Sequence, residues 1–138
     1  MRGYFLPLSG GADSSTTATM VAIMCQRVVG ELTNPKASTR SKEQILADVR
    51  KITRMKDYTP PTWQDLCSKL FVTCYMGSEY SGGETRERAA LLAEQIGAVH
   101  TSILIDDITN GIKSTFAKVA VHSGRPAAAP PVRLNYPS

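Results

Sequence analysis

Ser9-Gly10-Gly11-Ala12-Asp13-Ser14-Ser15, directly after the apolar run Tyr4-Phe5-Leu6-Pro7-Leu8, decides how this chain is read. A short buried strand runs into a glycine-rich turn, and an amphipathic segment from about Thr16 follows as a helix. Paired glycines let the backbone bend tightly and approach an anion with no Cβ in the way. The first N–H groups of the helix lack partners of their own and sit at the positive end of its dipole. Ser9, Ser14 and Ser15 add hydroxyl donors, and Asp13 adds a carboxylate suited to a phosphate-bound Mg²⁺. The alternative is a plain Gly-Gly turn with Asp13 or Ser14 as helix N-cap, which needs no ligand.

No Gly-Lys-Ser/Thr follows the glycines, so the Walker A pattern is excluded. Ser-Gly-Gly-x-Asp-Ser resembles instead the PP-loop of the ATP pyrophosphatases, a superfamily whose loop grips the pyrophosphate that leaves when ATP adenylates a substrate.

Strand and helix signals alternate along the rest of the chain. From Thr16 to about Leu32, Met20, Met24, Val28 and Leu32 recur every four residues, with Val21 and Ile23 widening the stripe. Residues 33–41 have turn composition, and Ile45, Leu46, Val49 and Ile52 mark a second helix from Lys42 to Arg54. Pro60-Pro61 ends that region. Thr62 is the predicted N-cap of a helix carrying Trp63, Leu66, Cys67 and Leu70. Phe71 to Met76 is β-branched and aromatic, as a core strand requires. A polar loop at residues 77–83 precedes a helix from Glu84 to Ile96, with Gly97 as its stop, and Val99 to Ile105 is a third strand.

This alternation predicts an α/β fold: a parallel, Rossmann-like sheet with helices on both faces, of the adenine nucleotide alpha hydrolase type and incomplete. Ligands in such folds bind beyond the carboxyl ends of the strands. The loops at 9–15 and 77–83 both follow strands and should open on one edge as a single site. Residues 1–118 form the expected domain. Residues 119–138, with Ala127-Ala128-Ala129-Pro130-Pro131, read as a disordered Pro/Ala-rich tail.

Composition narrows the function class. Of the 138 residues, 42% are apolar and 20% charged, ordinary values for a soluble globular domain. A net charge of +4 suits a polyanionic small ligand, yet no basic run is interleaved with aromatics, which argues against nucleic acid. Cys25, Cys67 and Cys74 lie in apolar runs without Cys-x-x-Cys spacing and are expected as buried free thiols. No signal peptide or membrane span is predicted, so the expected location is cytoplasmic.

From Tyr4 to about Lys118 the chain resembles the synthetase domain of NAD synthetase, glutamine-dependent type. The resemblance rests on residues 5–15, Met24-Cys25, Ile45-Leu46-Ala47-Asp48-Val49-Arg50, Leu70 to Ser78, and Glu84-Thr85-Arg86-Glu87-Arg88-Ala89 with Leu92-Ala93. It implies ATP-dependent amidation of deamido-NAD to NAD: ATP adenylates the nicotinate carboxylate, pyrophosphate leaves, and ammonia displaces AMP. The cofactors implied are ATP and Mg²⁺, and the partners are deamido-NAD and ammonia freed from glutamine by an amidase domain. An oligomeric assembly is implied for full-length members.

By the same resemblance Ser9 is the active-site residue, as a phosphate donor, and Asp13 reaches the metal. Pro7, Leu8, Ser9, Gly10, Gly11, Ala12, Asp13, Ser14 and Ser15 line the ATP site. Thr73 and Met76 are expected near the adenine, and Arg86 on a phosphate or ribose, with pairing to a neighbouring glutamate as the alternative. Arg88 is expected to be structural.

The family's amidase domain is not matched, and only Ile112 to Phe116 echoes its continuation after the third strand. The chain is therefore expected to be an inactive fragment holding the ATP half of the site. The alternatives are a non-catalytic ATP-binding remnant, or another PP-loop ligase such as GMP synthetase or a tRNA-modifying enzyme.

Overall fold

The computed structural model describes residues 3–122, of which residues 119–122 are described in backbone only. They divide into two compact units at Leu104–Ile105. The first holds strand β1 (Tyr4–Pro7), helices α1 (Ala12–Thr33), α2 (Thr39–Thr53) and α3 (Trp63–Leu70), strand β2 (Phe71–Gly77), helix α4 (Gly83–Ile96) and strand β3 (Val99–Leu104). Helix α5 (Asp106–His122) belongs to the second unit.

The strands form a parallel sheet in the order β1-β2-β3, with Tyr4 opposite Phe71 and Val72 opposite Val99. Parallel neighbours need crossovers, and right-handed crossovers that all step in one direction lay their helices on one face. That face holds the core: Leu8, Ala18, Cys25, Leu66, Cys67, Ala89 and Ala93 are fully buried, and Phe71 nearly so. The parallel sheet with helices packed on it is the α/β, Rossmann-like architecture expected, and within this unit the other face of the sheet is open. Phe5, Val72 and Val99, aligned by the register, stay 59%, 39% and 49% exposed there.

Local chemistry explains most boundaries. Thr62 caps α3 as predicted, its Oγ1 accepting the Asp65 N–H at 3.1 Å. Ser38 does the same for α2, accepting from Ser41 N–H at 3.2 Å, so that helix starts three residues before the predicted Lys42. Gly97 ends α4 at φ 72°, and the Ala98 N–H closes on the Ala93 carbonyl at 2.9 Å.

Helix α1 departs from expectation twice. It begins at Ala12, four residues before the predicted Thr16, because Gly11 takes the cap position and neither Asp13 nor Ser14 does. Its inward stripe is Ala18, Ala22 and Cys25, whereas Met20 and Ile23 face outward, at 66% and 43% exposed. Val21, Met24 and Val28 of the predicted stripe pack against the core from its border, while the small residues make the fully buried contact.

All three cysteines are buried and free, as predicted. The Cys67 thiol is pushed up by its hydrogen bond to Cys25 and by burial, which keeps it protonated and inert. Helix α5 was not anticipated; it carries the predicted boundary at Lys118 inside a helix, and residues 123–138 of the predicted tail lie outside the described residues.

Candidate functional site: the glycine loop at the sheet edge

β1 hands the chain to the loop through a rigid anchor. Pro7 pairs with Cys74, and the Leu8 N–H extends the ladder to the Cys74 carbonyl at 2.8 Å while its side chain is fully buried. Ser9 then leaves the sheet into solvent. Gly10 turns the backbone at φ 78°, a conformation that L side chains avoid. A Cβ built on Gly10 would overlap the Thr85 carbonyl oxygen, with the Thr85 carbonyl carbon at 2.9 Å. Thr85 lies in the first turn of α4, so the two predicted loops do meet at one edge of the sheet.

The Ser9 and Ser14 hydroxyls are occupied with one another, while the Ser15 hydroxyl has no hydrogen bond among the described residues. Ser14 Oγ accepts the Ser9 N–H at 3.2 Å, contacts Ser9 Oγ at 2.9 Å and donates to the Gly11 carbonyl at 3.3 Å. Either hydroxyl can donate in the 2.9 Å contact. Ser9 Oγ in turn accepts the Gly11 N–H at 3.2 Å. These bonds close the loop on itself. The Ser15 N–H enters the helical ladder through the Gly11 carbonyl at 3.1 Å. The N–H groups of Gly10, Ala12, Asp13 and Ser14 have no partner among the described residues. Unsatisfied amides at the positive end of a 22-residue helix form an anion site in the physical sense. Asp13 stands exposed in that same first turn.

The second loop is built as tightly. Ser78 N–H donates to Ser81 Oγ at 2.8 Å and Ser81 N–H returns to the Ser78 carbonyl at 3.0 Å. Gly77 lies under the Tyr75 ring, where a Cβ would come within 2.6 Å of a ring carbon. Tyr75 Oη meets Thr85 Oγ1 at 3.0 Å, and Thr85 Oγ1 donates to the Gly82 carbonyl at 2.8 Å. Tyr75 and Thr85 both lie in the segments that carry the resemblance, but only the fold shows that they meet behind Gly10.

The remaining candidates are dispersed. Thr73 is fully buried in mid-strand and its Oγ1 lies 2.8 Å from His100 Nδ1, so its hydroxyl is spent inside the core and not at the open edge. Burial lowers the His100 pKa, and its Nε2 is buried with no hydrogen-bond partner among the described residues. Met76 is 43% exposed near the carboxyl end of β2. Arg86 is exposed in α4 and forms no ion pair among the described residues. Arg88 is the arginine that pairs, at 2.9 Å with Glu84 one turn earlier, in keeping with a structural role. The apolar cavity of about 140 Å³ lies elsewhere, lined by Gly3, Met24, Val28, Leu66 and Leu70 towards the amino end of β1. No helix among the described residues is long and apolar enough to cross a membrane.

Most of the chain is shared with known proteins. The chain is 47% identical over 117 residues to the glutamine-dependent NAD(+) synthetase of Drosophila melanogaster, covering 85% of this chain and 14% of that one. It is 40% identical over 134 residues to the Dictyostelium discoideum protein of the same name, covering 91% of this chain and 18% of that one. The matched segment belongs to the glutamine-dependent NAD synthetase family. The human member is 42% identical over 117 residues, covering 85% of this chain and 16% of its own. A solved structure of the family, from Cytophaga hutchinsonii, superposes with a TM-score of 0.67 at 29% identity, covering 87% of this chain and 20% of that chain. The chain thus spans less than a fifth of the curated relatives it matches. It matches no family model.

Proposed function

We propose that this segment is the ATP-grasping part of an NAD synthetase, holding the diphosphate end of the nucleotide while a nicotinate carboxylate is adenylated. The observation that carries the reading is the set of unpartnered amides at Gly10, Ala12, Asp13 and Ser14. The chain that carries it is 40–47% identical to proteins named glutamine-dependent NAD(+) synthetase.

The chemistry asks for such a loop. A carboxylate oxygen is a poor leaving group, whereas AMP leaves readily once the acyl adenylate has formed. In the earlier step that forms the acyl adenylate, charge gathers on the departing pyrophosphate, and fixed amide dipoles stabilise that charge without reorganising. Ammonia, released from glutamine elsewhere in the full-length relatives, attacks the acyl adenylate to give NAD and AMP. Ser9 acts through its oxygen as part of the loop and not as a covalent nucleophile.

Mg²⁺ fits the residues present. It binds through one or two carboxylates plus phosphate oxygens and water, and Asp13 offers one exposed carboxylate beside the free amides. When bound, it would neutralise phosphate charge. Arg86, free of any ion pair among the described residues, is available to a phosphate or ribose. Met76 borders the adenine. Deamido-NAD is the acceptor, and the setting is cytoplasmic.

ATP titration of the chain with and without Mg²⁺, repeated for Ser9→Ala and Asp13→Asn, tests the site. Binding should require Mg²⁺ and weaken in both variants; equal binding by all three proteins would refute the loop assignment. Supplied with deamido-NAD, ATP and ammonium, the 138-residue chain is expected to give little or no NAD, since it spans so small a share of its relatives. The remnant reading makes the same two predictions for this chain and differs only in what surrounds it.

A further inference from the structure

We propose that Tyr75 and Thr85 are positioning residues for the phosphate loop, holding Gly10 and its neighbouring amides in register through a hydroxyl relay behind the loop. The inference rests on the reading of residues 9–15 as a phosphate site.

The geometry is a chain of three contacts. Thr85 Oγ1 gives its one proton to the Gly82 carbonyl at 2.8 Å, which can only accept. The Tyr75 phenol, 3.0 Å from the same oxygen, must therefore be the donor to it. The direction of both bonds is thus fixed. Tyr75 is itself held: its side chain is 6% exposed and its ring packs on Gly77, a position where no Cβ fits. From this fixed point the Thr85 backbone presses on Gly10, whose φ of 78° and missing Cβ are what let the two backbones touch. β2 therefore fixes Tyr75, Tyr75 fixes the first turn of α4, and that turn backs the bend from which the free amides project.

Neither side chain points to a ligand role of its own. Tyr75 is buried, and the Thr85 hydroxyl has its donor and acceptor partners already. What they supply is the shape of the loop. A loop that is not backed in this way can still exist, but its amides no longer converge.

The test uses the whole chain and Mg²⁺-pyrophosphate as the probe, at a temperature where each variant is folded. Tyr75→Phe keeps the ring on Gly77 and removes the donor. Thr85→Val keeps the shape and removes the oxygen, and Thr85→Ser restores it. Tyr75→Phe and Thr85→Val should each weaken pyrophosphate binding roughly three- to tenfold, the scale of one hydrogen bond, with Thr85→Ser close to wild type. A second readout needs no ligand: exchange of the hydrogen-bonded loop amides, Ser9, Gly11 and Ser15, should speed up in the two weakened variants and not in Thr85→Ser. Wild-type binding with unchanged affinity and exchange in Tyr75→Phe and Thr85→Val overturns the relay and leaves the phosphate site standing. Failure of the wild-type chain to bind pyrophosphate overturns the site and the relay together.

Discussion

Replacing Gly10 by alanine tests the backbone geometry on which the site depends. At φ 78° an L residue pays about 1–2 kcal/mol for its left-handed backbone. The added methyl would also overlap the Thr85 carbonyl group, which is backbone inside a helix and cannot rotate aside. Overpacking of that kind costs about 1–3 kcal/mol. The two terms together give a loss of about 2–5 kcal/mol if the loop keeps its place. Gly11→Ala is the control, since Gly11 has an ordinary φ of −87° and its methyl would meet only the Ser9 hydroxyl oxygen, at 3.3 Å. Losing glycine at the cap costs about 1 kcal/mol, offset in part by about 0.4–1 kcal/mol of reduced freedom in the unfolded chain. Urea unfolding followed by the single tryptophan, Trp63, which packs against the core, reads both variants. With a slope of about 2 kcal/mol per molar urea, the Gly10→Ala midpoint should fall by about 1–2.5 M, and the Gly11→Ala midpoint by under about 0.5 M. Midpoints that coincide, or a Gly10→Ala protein that binds Mg²⁺-ATP like wild type, would show that the Gly10–Thr85 approach is not what shapes the loop.

Other substitutions probe the rest of the unit. Gly30 lies inside α1 with nothing within 4 Å of a built Cβ, so Gly30→Ala should raise stability by about 0.5–1 kcal/mol, seen as a higher urea midpoint. Leu66 is fully buried between α3 and the rest of the core, and Leu66→Ala should cost about 2–5 kcal/mol by the same assay. His100 predicts a pH effect. Burial lowers its pKa below 6.5, so in acid the unfolded chain takes up a proton that the folded ring resists. Stability should therefore fall as pH drops through about 6.5 and level off below the folded-state pKa, and His100→Gln should flatten that part of the profile. An unchanged slope in His100→Gln would assign the pH dependence to other groups.

The sequence made visible what depends on near neighbours. The Thr62 cap, the Gly97 stop and the β-branched run of β2 each act over four or five residues, and all three occur where predicted. The two-loop edge was also legible, because parallel strands must end on the same side. What escaped notice depends on distant approach. The inward face of α1 is chosen by how near the sheet comes, which favours Ala18 and Ala22 over Met20. Thr73, expected near the adenine, instead spends its hydroxyl on His100 of the neighbouring strand, which nothing in the local sequence marks. Thr85 is a common residue in a polar loop-to-helix stretch, and nothing local marks it as the neighbour of Gly10.

The pairing of Tyr4 with Phe71 has a consequence for how the protein comes into being. The glycine bend is made by residues near the start of the chain, yet its scaffold is completed only when strands and a helix from beyond residue 70 arrive. Closing so long a stretch is slow compared with forming any of the helices within it. The glycine bend is therefore among the last parts of this unit to gain its backing, because the strand and helix behind it come from beyond residue 70.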